Sequence, residues 1–361
     1  MKIRFAKPWI GLEEVQAVNT FLLNQDDRLT DGSQTQLFES EFCLYTGARY
    51  SIATSSCMAA LHLSYLALGI GQGDEVIVPA MTHVATAHAV ELVGARPVFL
   101  DCFEDGNGLC DFKEEVNRNR KLKGVSIIHY IGNISDHIMT YYINVSENYG
   151  LRVVEDCALA LGTKVEEKHV GLFGNCGCFS FYPTKHITTG EGGMFVTNDY
   201  KLYEKAKIIS RFGKTSGGAS DYDIGLLGSN FRMSEVQAVL GRTQLKKIDK
   251  ILKIRHRNLD RLKATFPDNI CGGSYCAILH CNSLEDRDRK RKLLKDKAIE
   301  TSVYYPKPVP ALKFYATKYG YAKGRYPNAI RIAETTIALP IGPHITNKKM
   351  DYMIRSLKEI L

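Results

Sequence analysis

At 361 residues the chain is too long for one small core and predicts a large domain with a smaller one. Apolar residues at 45% and charged residues at 24% are ordinary for a soluble globular protein, and no stretch is long and apolar enough to cross a bilayer. The net charge of +8 admits an anionic small molecule or nucleic acid, but the densest basic run, Arg287 to Lys297, is interleaved with Asp and lacks stacking aromatics; it reads as a solvated helix face, which sets nucleic acid aside.

The N-terminus, Met1 to Pro8, is basic but has no following apolar run or small-residue cleavage site, so no signal peptide is expected and the cytoplasm is the expected location. Strands are predicted at Tyr50–Thr54, Glu75–Val78, Pro97–Asp101, Val125–Tyr130, Leu151–Glu155, Cys178–Tyr182 and Met194–Thr197, several of them continuous apolar runs that need cover on both faces. Helix-like stretches such as Ala59–Leu68, Thr86–Val93 and His137–Asn148 lie between them, and this alternation implies an α/β fold with a mostly parallel sheet.

Ser234 with Gln237 matches a capping box, so a helix should begin there. From about 247 the charge density rises, and the chain ends in an amphipathic stripe of Met350, Met353, Ile354, Leu357 and Leu361. The expected division is 1–245 for the large domain and 246–361 for a smaller α+β domain. The ten cysteines are scattered, with reduced, buried thiols expected at Cys157, Cys178 and Cys276. Cys176-Gly177-Cys178 lacks a second pair or a His cluster, so no metal site is expected.

Three positions fall where open α/β sheets bind ligands, at the carboxyl ends of strands. Asp156 closes an apolar strand, and a carboxylate there needs a cationic or donor partner; a protonated pyridine nitrogen would serve, although a turn aspartate needs no ligand. Lys185 follows Phe179-Ser180-Phe181-Tyr182-Pro183-Thr184, past the sheet edge, where an amine kept partly unprotonated can form a Schiff base; a loop lysine is otherwise simply solvated. The turn Thr54-Ser55-Ser56-Cys57-Met58-Ala59 opens a helix and offers free amides to a phosphate, as any Ser-rich helix start could. Together these are the parts that pyridoxal 5′-phosphate (PLP) requires from a protein. Gly190-Glu191-Gly192-Gly193 lacks the strand–helix context of a dinucleotide fingerprint and marks a tight turn where the backbone approaches something closely.

The segments Val154-Glu155-Asp156-Cys157-Ala158, Phe179-Ser180-Phe181 and Lys185 to Met194, supported by Ala59 to Leu63, Gly71 to Pro79 and Asn230 to Ser234, resemble the signature of the DegT/StrS-type sugar aminotransferases, PLP enzymes of fold type I. The resemblance implies Lys185 as the Schiff-base lysine and Asp156 as the partner of the pyridine nitrogen. It further implies Ser180 as a phosphate-binding hydroxyl, His83 as the ring that stacks on the cofactor, and Asn230 as a residue reaching the phosphate from the neighbouring subunit of a homodimer. Cys57 and Met58 fall at the phosphate turn and Leu159 beside the cofactor. Three of the chain's residues depart from the family pattern: Leu159 stands where relatives often carry Gln or His, Met58 where they have Thr, and Pro310 where a His is frequent.

The implied reaction moves an amino group, from glutamate by the same resemblance, onto a nucleotide-linked keto-sugar, in polysaccharide biosynthesis. Lys185 would move the proton and Asp156 would keep the pyridine nitrogen protonated. One rival is a PLP-dependent sugar dehydratase, in which a His replaces the lysine; His186 is adjacent, but counting from Ser180 and Gly190 puts Lys185 at the key position. The other rival is a non-catalytic PLP- or sugar-nucleotide-binding regulator, suggested by the three departures.

Overall fold

The computed structural model describes residues 1–24, 28–216, 223–322 and 324–361. Two helices, α1 (Leu12–Leu23) and α2 (Ser33–Thr46), lead into an alternation of strands and helices: β1 (Tyr50–Thr54), α3 (Cys57–Leu68), β2 (Glu75–Pro79), α4 (Val84–Leu92), β3 (Arg96–Leu100), α5 (Phe112–Arg118), β4 (Leu122–Ile128), α6 (Asp136–Asn148) and β5 (Arg152–Asp156). A small ribbon, β6 (Lys164–Val165) with β7 (Lys168–His169), precedes β8 (Cys176–Ser180), β9 (Gly193–Thr197) and α7 (Tyr200–Ser210). A second ribbon, β10 (Lys214–Ser216) with β11 (Asp223–Ile224), is followed by α8 (Glu235–Leu245).

The seven-stranded sheet runs β1-β9-β8-β5-β4-β2-β3. Every neighbouring pair from β8 to β3 is parallel, whereas β9 is antiparallel to both β8 and β1. Strands such as β2, buried at all five positions, carry side chains that both faces must bury, and two layers of helix do so. On one face Cys176, Cys178 and Val154 meet α3 and α4; on the other Phe179 and Phe181 meet Phe38 and Phe42 of α2. Phe42 lies with its ring 5.1 Å from that of Phe179 and 5.8 Å from that of Phe181, in edge-on contacts that favour aromatic pairs.

The strand expected over Val125–Tyr130 instead spans Leu122–Ile128, because the chain leaves the sheet in a tight turn at Tyr130–Gly132 with Ile131 at φ 52°. The capping box forms as expected: Ser234 Oγ accepts from Gln237 N, and Gln237 Oε1 accepts from Ser234 N.

Beyond α8, α9 (Ile248–Thr265) leads to an antiparallel layer of β12 (Ile270–Gly272), β13 (Ala277–His280) and β14 (Thr336–Leu339). The helices α10 (Leu284–Asp296), α11 (Lys313–Tyr319), α12 (Pro327–Thr335) and α13 (Asn347–Lys358) complete it. Its core gathers Leu259, Leu262, Met350, Met353 and Leu357, and Ile3 joins it through a bridge to Ile299. Leu361, expected on the same stripe, lies past the end of α13 and is exposed. The basic run is not uniformly solvated either: Arg287 and Lys290 are buried, the first bonded to the Ala333 carbonyl and the second paired with Asp286 at 2.8 Å. Among the described residues no helix is long and apolar enough to cross a membrane.

Glu155 of β5 ties the middle of the sheet to the approach to β8. Its side chain is fully buried and accepts from the amides of Gly171, Phe173 and Gly174, each at 2.7 Å, and meets His129 Nε2 at 2.9 Å. Burial would raise the carboxyl, but the His129 hydrogen bond and charge, with the Gly174 and Gly171 amides, outweigh it and hold the group below its usual range. A depressed folded-state pKa gives stability that is fully present above the unfolded value of about 4.3 and is lost as pH falls through the folded value.

Two stability measurements follow from these contacts. Phe42→Ala should lower the unfolding free energy by about 3–5 kcal/mol in urea titrations, since its cavity is walled by rigid rings. Glu155→Gln should be about 3 kcal/mol less stable than the parent at pH 7, with the gap closing as both are taken to acid pH; a gap independent of pH would contradict the account.

Candidate active site

The ends of β1, β2, β4, β5 and β8 wall a cavity of about 370 Å³ at the carboxyl edge of the sheet. At the end of β1, Ser56 caps α3, its Oγ accepting from Ala59 N at 3.1 Å, which leaves the Cys57 and Met58 amides with no acceptor inside the helix. Both residues line the cavity, so this helix start presents donors and the positive end of a dipole to it. Gly193 opens β9 directly against this turn, where a Cβ would stand 2.5 Å from the Cys57 nitrogen. That is the close approach expected of the glycine-rich segment.

After β2, His83 caps α4, with Nδ1 accepting from Ala85 N at 3.2 Å. Desolvation lowers its pKa, so the ring is uncharged at neutral pH, and it lies edge-on to Tyr305 at 5.7 Å on the cavity wall. A neutral, partly exposed imidazole can lie against a flat heterocycle without adding charge.

Asp156 ends β5, buried, with Oδ2 accepting from Thr86 Oγ1 at 2.8 Å and Oδ1 from Ala158 N at 3.0 Å. Each oxygen has one donor from the protein and keeps further acceptor capacity. Leu159, three residues on, is buried and puts an apolar side chain on the same wall.

β8 ends at Ser180, and a turn closed by Lys185 N to Tyr182 O at 2.9 Å brings Lys185 to the cavity. Burial lowers the pKa of its amine, against the raising influence of the Asp156 carboxylate. Among the described residues Lys185 forms no salt bridge; its Nζ instead lies over the Tyr275 ring, 5.3 Å from the centroid. Ser180 also lines the cavity, with Oγ accepting from Tyr182 N at 3.4 Å.

Lys185, Asp156, Cys57, Met58, His83, Leu159 and Ser180 are thus brought to one cavity, and Asn230 is not. Asn230 is exposed and engages Arg232, whose backbone and side-chain nitrogens donate to Oδ1 at 3.3 and 3.1 Å. Pro310 lies buried in the turn Val309–Ala311, outside the cavity wall. Reading the sequence missed Thr86, one turn into the helix that His83 caps, and the tyrosines Tyr130 and Tyr305; Thr86 had a signal in its i+3 spacing from His83, the tyrosines none.

The donor set fits PLP on these observations: free helix-start amides for a phosphate, a buried carboxylate with spare acceptor capacity for a pyridinium, and a desolvated amine for an aldehyde. Comparison with known proteins agrees. The model of the DegT/DnrJ/EryC1/StrS aminotransferase family matches residues 8–358. The spore coat polysaccharide biosynthesis protein SpsC of Bacillus subtilis (strain 168) is 33% identical over 99% of this chain and 96% of its own length. GDP-perosamine synthase of Escherichia coli O157:H7 is also 33% identical, over 91% of this chain and 90% of its own. The structure of Spr1654 from Streptococcus pneumoniae in its PLP form superposes with a TM-score of 0.90 at 27% identity, covering 100% of this chain and 98% of that one. A match of this extent, on a sheet whose strand ends hold the parts PLP needs, shows that the chain belongs to the DegT/DnrJ/EryC1/StrS aminotransferase family and is a PLP-dependent sugar aminotransferase of fold type I.

Proposed function

We propose that the chain transfers an amino group, with glutamate as donor, to a nucleotide-linked keto-sugar, and that Lys185 is the residue that carries the cofactor and moves the proton. The observation that supports this most is that Lys185 and Asp156 share one cavity without pairing with each other. Bound PLP would supply an aldehyde carbon for the amino group and a ring that withdraws electrons. Burial keeps a larger share of Lys185 as free amine, able to accept a proton inside the cavity and return it. Asp156, fixed by Thr86 and Ala158, holds a proton on the ring nitrogen. The Cys57 and Met58 amides and Ser180 would hold the phosphate, and His83 would flank the ring.

A cavity of about 370 Å³ is at the small end for ligand sites, so the nucleotide lies outside it while the sugar enters. The dehydratase reading is disfavoured by His186, which is buried with Nε2 turned to the Ser274 carbonyl at 3.2 Å and lies off the cavity wall. The reading as a non-catalytic binding protein has against it a Lys185 amine that burial holds partly free.

We also propose a homodimer with the division between the two domains after α8. Leu12, Val15, Leu22 and Leu23 form one exposed apolar face of α1, Leu12 being 74% and Leu23 72% exposed, and a second copy would cover it. Asn230, exposed and off the cavity of its own chain, would serve the partner's site in such a dimer. Ten unpaired cysteines suit the reducing cytoplasm.

Lys185→Ala should lower amino-sugar formation at least about a thousandfold, read by mass spectrometry with glutamate and a panel of nucleotide-linked 3-keto and 4-keto sugars. An alanine variant that keeps its rate would remove the lysine from the chemistry. The parent should sediment at twice the 40.4 kDa chain mass, and Leu12→Glu with Leu23→Glu should shift it to the monomer. A parent that sediments as a monomer overturns the dimer.

A further inference from the structure

Lys185 is met from the β12–β13 turn, a segment remote in sequence from every part of the cofactor site. Tyr275 of that turn is 3% exposed, and its ring carries the Lys185 Nζ over it at 5.3 Å from the centroid. Its hydroxyl donates to Thr184 Oγ1, next in chain to Lys185, at 3.2 Å and lies 2.8 Å from the Tyr304 hydroxyl. The turn is clamped to the large sheet: Tyr275 N donates to the Ile131 carbonyl at 3.1 Å and Ser274 N to the Gly132 carbonyl at 3.3 Å. From α9, Arg255 donates to the Tyr275 carbonyl at 2.6 Å, with its guanidinium 5.8 Å from the ring centroid.

We infer that Tyr275 is a positioning residue for Lys185: its ring face fixes Nζ and favours the ammonium over the amine, so the seating of the β12–β13 turn sets how much free amine the site holds. The inference rests on the proposed role of Lys185.

An aromatic face attracts a cation within about 6 Å, and more strongly where water is excluded. The other groups facing Lys185 do not obscure this. Burial keeps the thiols of Cys57 and Cys276 protonated, and burial keeps His83 and His186 uncharged. Of the groups facing Nζ, Asp156 carries the charge that favours the ammonium, while Arg255 keeps its charge throughout the range of interest. Substitution of Tyr275 by an aliphatic residue of similar bulk keeps the apolar surroundings and removes the π face.

The test is trace acetylation of the full chain, freed of PLP, with acetic anhydride from about pH 6 to pH 11, followed by peptide mass spectrometry, which reads the apparent pKa of Lys185 directly. Tyr275→Leu and Tyr275→Met, two variants so that one failing to fold does not end the test, should lower it by about 0.5–1 unit, or three- to tenfold more free amine. Tyr275→Phe, which keeps the face and loses only the hydroxyl, should stay within about 0.2 unit of the parent. An unchanged or raised pKa in the aliphatic variants overturns the inference, as does a fall in Tyr275→Phe as large as theirs. Borohydride reduction of the PLP-loaded parent separates the two claims: cofactor fixed to Lys185 upholds its role whatever Tyr275 does, and cofactor absent from Lys185 overturns that role itself.

Discussion

The site depends on holding a desolvated amine and a desolvated carboxylate in one cavity without letting them neutralise each other. A direct Lys185–Asp156 pair would be favourable in a low-dielectric cavity and would leave neither group available. The fold prevents it by giving each its own partner. Asp156 is tied down by Thr86 Oγ1 and the Ala158 amide, and Lys185 rests on the Tyr275 ring. Both partners interact without supplying an opposite formal charge, so the two groups keep their capacity for a ligand placed between them.

Rigidity behind the cavity makes this separation possible. Asp156 and Glu155 are neighbours on β5 and point to opposite faces of the sheet: one to the cavity, the other to three amides and His129. Glu155 fixes the segment that enters β8, and β8 in turn delivers Ser180 and Lys185. The aromatic cluster of Phe38, Phe42, Phe179 and Phe181 presses the same strand from below. A shift of β8 would therefore cost packing and buried hydrogen bonds at once.

Much of this was legible in the sequence, for physical reasons. Apolar runs such as Glu75–Val78 had to be covered on both faces and so marked a parallel sheet, and the Ser234 and Gln237 pair marked a helix start. The three positions proposed for the cofactor, Asp156, Lys185 and the turn at Ser56, lay at strand ends, where local pattern and resemblance coincide. The reading failed where neighbours in space are far apart in the chain. Tyr275 and Tyr305 carry no local motif and Thr86 only its spacing from His83; their roles exist only once β2, β12 and the segment before Val309 converge. Likewise Arg287 and Lys290 read as solvent-facing until α12 and Asp286 cover them. Leu361 fits the helical period on paper, but α13 ends before it.

Leu159 and Met58 put apolar side chains on the cavity wall without touching the amine or the carboxylate. The backbone amides of Cys57 and Met58 remain, since a helix start supplies them regardless of side chain. The most direct measurement is a crystal structure of the chain grown with PLP. The account predicts density continuous from Lys185 Nζ to the cofactor, with the ring nitrogen within hydrogen-bond distance of an Asp156 oxygen. A cofactor bound elsewhere, or Lys185 and Asp156 paired directly with each other in its presence, would contradict it.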